Sequence, residues 1–308
     1  MEKYLVSIMG SYVDHCFVSD TYPAEGDFSH ARFMGDYPGG CPLNVAAVCA
    51  MKDTKVYALD MLSDKEMTTP YLLKQMEGFG IDTSHIQIKT GVTNGQVIII
   101  LTGDLRTMFV VDPIRPYYEV DQKMKDLFNN ATYIYSLMHM IDRSFENLDP
   151  LLEAKKNGAK IVLDGTSKYD DPSRVKILYD LTSGLFINET DYQRLKDNSY
   201  KEPRDIIFEN GGEFVIITRG SEGADLYLKD KTIHKPSVQN VNVTDSTGAG
   251  DSFAGCFMAC LLKGMDYETA LSYATVNGAY CCTVFSGSGG AADMATIETF
   301  AKEHNYEL

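Results

Sequence analysis

The densest chemistry in the chain lies in Thr244-Asp245-Ser246-Thr247-Gly248-Ala249-Gly250-Asp251-Ser252-Phe253-Ala254-Gly255. Phe253, Cys256, Phe257, Cys260 and Leu261 fall at i, i+3, i+4, i+7 and i+8, which predicts one apolar helix face ending near Lys263-Gly264. A glycine-rich turn therefore opens directly into a buried helix. Glycine lets backbone approach a ligand closely, and the first amides of a helix have no carbonyl partner. Gly248, Ala249 and Gly250 thus make an anion cradle, suited to a phosphate or to developing negative charge. Asp251 stands at the helix start, where its carboxylate would act on a substrate hydroxyl as general base in phosphoryl transfer. Without further context, a bare glycine turn is a weak signal and an Asp at a helix start is most often a cap.

Other chemistries lack their residues. The glycine turn lies near the C-terminus, whereas a dinucleotide fingerprint follows the first strand, and no GxxxxGK precedes a Ser or Thr. The six histidines show neither HxH nor HExxH spacing, and no GxSxG occurs. Cys256 and Cys260 share a helix face, where core packing explains them better than metal binding.

The elements that must position this turn alternate. Strands are predicted at Tyr4 to Met9, Lys55 to Leu59, Tyr133 to Tyr135, Ile161 to Leu163, Leu185 to Ile187 and Phe214 to Ile217. Helices are predicted at Leu43 to Met51, Pro70 to Phe79, Leu151 to Lys156 and Ser173 to Leu181. Continuous apolar strands between helical stretches indicate an α/β fold with a mostly parallel sheet. Two segments, Cys16 to Tyr37 and Val92 to Val111, break the rhythm as β-hairpin material. The second is a strand at Gly95 to Leu101, a turn at Thr102-Gly103-Asp104 and a strand at Thr107 to Val111. The two together suggest a small sheet covering the carboxyl edge of the main one, where it would exclude water.

The chain has 308 residues, with 44% hydrophobic and 23% charged, an ordinary globular composition. Its formal net charge of −15 argues against a nucleic-acid partner and against the anionic surface of a membrane. Seven cysteines without a CxxC suit reduced thiols. The opening apolar run is short and follows no basic stretch, so a cytoplasmic protein is expected. No repeat or linker divides residues 1–308, so one domain is expected, with the cover from about 16–37 and 92–111.

Asp245-Ser246-Thr247-Gly248-Ala249-Gly250-Asp251-Ser252-Phe253 closely resembles the C-terminal signature of the ribokinase-like (pfkB-type) sugar kinases. Three further motifs of that family follow in order. Pro38-Gly39-Gly40-Cys41-Pro42-Leu43-Asn44 resembles its double glycine and Asn. Asn188-Glu189-Thr190-Asp191 approximates its Asn-x-x-Glu, and Thr218-Arg219-Gly220-Ser221-Glu222-Gly223 its Thr-x-Gly-x-x-Gly. The resemblance implies a three-layer α/β/α core with a β-sheet lid. It implies an ATP-dependent kinase acting on a small sugar hydroxyl, with Mg2+ and, beside Asp245 and the Phe285-to-Gly289 loop, a monovalent cation such as K+.

Under that resemblance Asp14, Gly39, Gly40 and Asn44 hold the sugar, with Arg106 closing over it. Asn188, Thr218, Gly220 and Gly223 face the nucleotide, Asn277 borders adenine, and Asp191 reaches magnesium through water. Homodimerisation through the lid is implied, with Val97 and Ile99 as apolar lid candidates. Each residue also has a plainer role: a solvated loop Asp14, an N-terminal polar Asn44, an exposed Arg106. Some positions depart from the family. Asp191 replaces its usual Glu, Asp164-Gly165-Thr166-Ser167-Lys168 lacks the Asn and Arg of Asp-x-Asn-x-Arg, and Leu62 to Met67 lacks glycines. Lys168 cannot reproduce an arginine's two-pronged grip, which weighs against sugar acids and sugar phosphates. A nucleoside kinase, with Tyr12, Phe17 and Tyr37 as base-facing walls, stays open. So does a non-catalytic sugar or nucleotide sensor, though the intact turn and Asp251 disfavour it.

Overall fold

The computed structural model describes residues 2–103, 105–165, 178–197, 199, 201–285 and 287–308. Its strands are β1 (Tyr4–Ile8), β2 (Tyr12–Ser19), β3 (Ala31–Gly39), β4 (Lys55–Leu59), β5 (Met61–Ser63), β6 (Gln87–Lys89), β7 (Gly95–Thr102), β8 (Leu105–Val111), β9 (Tyr133–Leu137), β10 (Lys160–Asp164), β11 (Gly184–Asn188), β12 (Phe214–Thr218), β13 (Ala224–Tyr227) and β14 (Thr232–Lys235). Its helices are α1 (Cys41–Ala50), α2 (Thr68–Gly78), α3 (Gln122–Asn129), α4 (Met138–Ser144), α5 (Asp149–Lys156), α6 (Glu189–Asp197), α7 (Pro203–Glu209), α8 (Ala249–Leu262), α9 (Tyr267–Cys281) and α10 (Met294–Glu303).

Among the described residues the main sheet runs β14-β13-β12-β11-β10-β9-β1-β4. The strands from β12 to β4 are parallel, and β13 and β14 turn back antiparallel at one edge. The inner strands are apolar through most of their length because both faces are covered, and the buried Ser7 and Ser136 within them donate to the carbonyls of Pro42 and Ile8. Leu5, Val162, Phe186 and Ile216 enter one core with residues of α1, α2, α8 and α9. Their neighbours Val6, Ile161, Leu163, Leu185, Ile187 and Val215 enter a second core with α3, α5, α6 and α7. This side-to-side alternation along each strand produces three layers, as the sequence predicts. The strand centres also fall where expected. Most of the helix expected at Ser173 to Leu181, and Thr166 to Lys168 of the mid-chain motif, lie outside the described residues.

A second sheet, of order β3-β2-β7-β8, joins the two β-rich excursions. β2 runs antiparallel to β3 and parallel to β7, and β7 and β8 form the expected hairpin. One facing differs from the expectation for lid surfaces. Ile99 is buried at 4% exposure, whereas Ile98 beside it is exposed and Val97 is half-buried. Period-two alternation explains this: Ile99 points toward the main sheet, so its neighbour must point away. The outer side instead carries Phe33, Ile98 and Phe109, whereas the exposed Met108 and Val110 pair with Ile99 and Val97 and share their face.

Candidate active site

The turn before α8 is built from backbone requirements. Gly248 caps the helix with φ 74°, a left-handed conformation that favours glycine. A Cβ there would also lie 2.7 Å from Gly287 Cα, so a second glycine turn packs directly against the first. Ser252 N donates to Gly248 O at 2.7 Å, the first bond of the helix. Ala249 N already donates to Ser246 O at 3.3 Å. That narrows the expected cradle to the first-turn amides that follow, Gly250 and Asp251, which have no carbonyl in their own helix. A Cβ at Gly250 would meet nothing within 4 Å, so this side of the turn is open.

Asp251 in this first turn meets α1 end-on. Asn44 Nδ2 donates to Asp251 Oδ2 at 2.8 Å, joining two motifs 207 residues apart. The Cys41 thiol, one turn earlier on α1, also donates to this carboxylate. Burial nevertheless pushes Asp251 up to about 6, with both hydrogen bonds opposing the shift. The negative charge of Asp251 holds the Cys41 thiol well above its ordinary range, although the residue reaches the surface. Asp164, at the end of β10, is a third member of this corner. Burial, then the charge of Asp251, pushes it up to about 8, although Tyr135 donates to it at 3.1 Å. Cys41 and Asp164 carry no role in the sequence reading. Cys41 lies inside the double-glycine motif, and Asp164 opens the mid-chain motif that was set aside for its missing partners.

Between the small sheet and this turn lies a narrow cavity. Asp14, Tyr37, Ile99, Arg106, Asp245 and Phe285 line it. Asp14 sits within β2, paired with Tyr37 and Val97, and not on a solvated loop. Burial raises it to about 6, against the opposing charges of Arg106 and His15. Arg106 Nη1 lies 3.9 Å from Asp245 Oδ1, and Thr247 donates to that same oxygen through its amide (3.0 Å) and hydroxyl (2.6 Å). Gly39 and Gly40 serve the protein's own atoms. A Cβ on Gly39 would fall 2.6 Å from Asp14 Cγ, and one on Gly40, at φ 102°, would strike the carbonyl of Gly10.

The nucleotide-side candidates gather at the ends of adjacent strands, since Asn188 on β11 is the register partner of Thr218 on β12. Asn188 Oδ1 accepts from Asp191 N at 2.8 Å, and its Nδ2 donates to Asp191 Oδ2 at 2.7 Å. The pair thus caps α6. Arg194 lies 3.3 Å from the other Asp191 oxygen. Gly220 (φ 55°) opens a short 3₁₀ turn and Gly223 (φ 103°) closes it against the backbone of Lys235. Asn277 stands apart. Its side chain is wholly buried and its Nδ2 donates to Gly290 O at 3.0 Å, so it faces the second glycine turn, while its Oδ1 has no hydrogen-bond partner among the described residues. Lys168 lies outside the described residues.

A doubly covered parallel sheet with polar groups at its strand ends, a small sheet over that edge and a carboxylate in the helix turn make an α/β fold whose site is suited to phosphoryl transfer. The profile of the pfkB family carbohydrate kinases matches residues 6–293, and the chain belongs to that family. It is therefore a carbohydrate kinase, a phosphotransferase. It is similar to the deoxyribokinase of Salmonella typhi, 23% identical over 96% of this chain and 97% of that one. The 5-dehydro-2-deoxygluconokinase of Clostridium perfringens (strain 13 / Type A) is 25% identical, over 91% of this chain and 88% of its own. Among solved structures, Arabidopsis thaliana ribokinase complexed with ribose and ATP superposes with a TM-score of 0.83 at 20% identity, covering 98% of this chain and 99% of that one. Burkholderia thailandensis nucleoside kinase in complex with inosine gives 0.80 at 18% identity, covering 99% and 98%.

Proposed function

We propose that this enzyme transfers the γ-phosphoryl group of ATP to a hydroxyl of a neutral monosaccharide held under the small sheet. The contact between Asn44 and Asp251 carries the reading, because it presents a recessed carboxylate beside open helix amides. Asp251 takes the hydroxyl proton as the oxygen attacks in line, and the amides around Gly250 stabilise charge on the transferring group. Asp14 accepts from other sugar hydroxyls, with the Arg106 charge opposing the burial that raises its carboxyl. Asn188, Thr218, Gly220 and Gly223 border the nucleotide.

Magnesium supplies charge neutralisation for the nucleotide phosphates when bound. The corner fits a cation, because the charges of Asp251 and Asp191 raise the proton affinity of Asp164. Asp164 and Asp191 are the residues that would hold it, through water, since no three acidic, His or Cys side chains form a ready cage among the described residues. A monovalent cation beside Asp245 would share a carboxylate already engaged by Thr247 and Arg106. We derive no step through it.

Tyr37 and Phe285, edge to face at 5.5 Å, would pack against a sugar's apolar side as readily as against a base. An ADP-release assay across neutral sugars, sugar acids and nucleosides tests the reading, and turnover confined to nucleosides overturns it. The apolar outer side of the small sheet further supports a homodimer formed through it. Sedimentation velocity should show a dimer that Phe109→Lys converts to monomer. The free cysteines among the described residues fit a reducing, cytoplasmic setting.

A further inference from the structure

The turn from Gly287 to Gly290 touches the catalytic corner on three sides. Gly287 packs on Gly248, and a Cβ on it would lie 2.8 Å from Asn44 Nδ2. Gly290 lies against Ser252 of α8, where a Cβ would come 2.7 Å from that residue's Cβ. Two buried side chains hold the far side of this turn. Asn277 on α9 donates to Gly290 O at 3.0 Å, and Lys52, just past α1, donates through Nζ to Ala292 O at 2.7 Å. Lys52 is completely buried, and its nearest titratable neighbours are Cys49, Cys256, Cys260 and Asp293. A buried ammonium bonded to one carbonyl is costly where a Leu or Met would fill the space. Stability alone gives no reason for it. The bond does join the end of the helix that carries Asn44 to the loop that supports Gly248.

We infer that Lys52 and Asn277 are positioning residues that set the spacing between the Gly287–Gly290 turn and the Asn44–Asp251–Gly250 corner. The inference rests on the proposed role of Asp251. Fixing the loop from behind holds the amides and the carboxylate in transition-state alignment, while leaving ground-state binding of sugar and ATP to other residues. Lys52→Met should therefore lower kcat roughly 10- to 100-fold. KM for both substrates should stay within about twofold, and the melting temperature should be unchanged or higher. Lys52→Gln, which keeps an N–H donor without the charge, should recover part of the lost kcat.

The deciding measurement is a cycle of Lys52→Met, Asp251→Asn and the double variant, with kcat, both KM values and melting temperature recorded for each. If Lys52 acts through the corner, its effect on kcat should largely vanish once Asp251 is Asn. A kcat for Lys52→Met within twofold of wild type, a change confined to KM, or equal effects in both backgrounds overturns the inference. Failure of both Lys52 variants to fold also overturns it, because the residue is then structural. Near-wild-type turnover by Asp251→Asn alone would instead overturn the underlying reading of Asp251, an outcome visible before Lys52 is touched.

Discussion

The two glycine-bearing halves of the site are built on opposite plans. At Gly39 and Gly40 the missing side chains make room for the protein itself: the carboxylate of Asp14 and the carbonyl of Gly10 fill the space. At Gly250 nothing stands within 4 Å of where a Cβ would be. The acceptor half is closed and packed, its charges already matched by Arg106 against Asp14 and Asp245. The transfer half is open and short of positive charge, with the charges of Asp251 and Asp191 raising the proton affinity of Asp164. Recognition of a neutral sugar asks for the first plan, and accepting a charged nucleotide with its metal asks for the second.

The largest effect should follow from removing the proposed base in the open half. Asp251→Asn keeps the hydrogen-bonding shape, so fold and nucleotide binding should persist while kcat falls about 100-fold or more. Because burial holds Asp251 at about 6, wild-type kcat/KM should fall as pH drops through that value, as the carboxylate becomes protonated. Steady-state kinetics from pH 5 to 8 would show it. A variant turning over at the wild-type rate, or a flat profile through pH 6, would exclude Asp251 from the chemistry.

The acceptor half should reveal its plan through what it rejects. A sugar acid or sugar phosphate would bring a further negative charge to an arginine already facing two carboxylates. Without a second cation to form a charged hydrogen bond, about 1.5–3 kcal/mol is lost, roughly 10- to 100-fold in kcat/KM relative to the neutral sugar. A panel in which 2-keto-3-deoxygluconate or a hexose phosphate outperforms every neutral sugar would break the comparison. A smaller effect should come from Gly39→Ala, whose Cβ would fall 2.6 Å from Asp14 Cγ and displace that carboxylate. The sugar KM should rise up to about 10-fold with the ATP KM unchanged, as expected for losing a hydrogen bond to a charged group. Gly250→Ala, by contrast, has room for its methyl and should bind sugar normally.

How legible each half is in the sequence follows from its construction. The turn and proposed base of the transfer half are contiguous from Asp245 to Asp251, so local chemistry and family resemblance both point to them. The layered core is equally legible, because strands buried on both faces, such as Phe214 to Ile217, show as unbroken apolar runs. The acceptor half joins Asp14, Arg106 and Asp245 from three distant segments, and their charge pairing is a property of the fold. The bearing of Asn277 is illegible because α9 is buried on most sides, leaving no polar face to show which way an Asn points. Asp164 is hidden by the loss of its motif partners, although its position at a strand's carboxyl end is where ligands approach open α/β sheets.

Asp164 also offers the test with the smallest expected effect and the clearest sign. Its carboxyl is pushed up to about 8 in the folded protein, first by burial and then by the charge of Asp251, whereas an unfolded Asp titrates near ~3.9. Between those values the native chain keeps a proton that the unfolded chain has lost, so stability must fall as pH rises through the window. Asp164→Asn removes that ionisation while still accepting from Tyr135. Its melting temperature should match the wild type near pH 4 and pull ahead as pH rises, by at least about 2 °C at pH 8 in a metal-free buffer. Magnesium with nucleotide should narrow the gap, because a cation relieves the repulsion only when the carboxylate is present. Thermal scans from pH 4 to 8 would decide, and a difference that is flat with pH, or that favours the wild type at pH 8, would mean the transfer half is not short of positive charge.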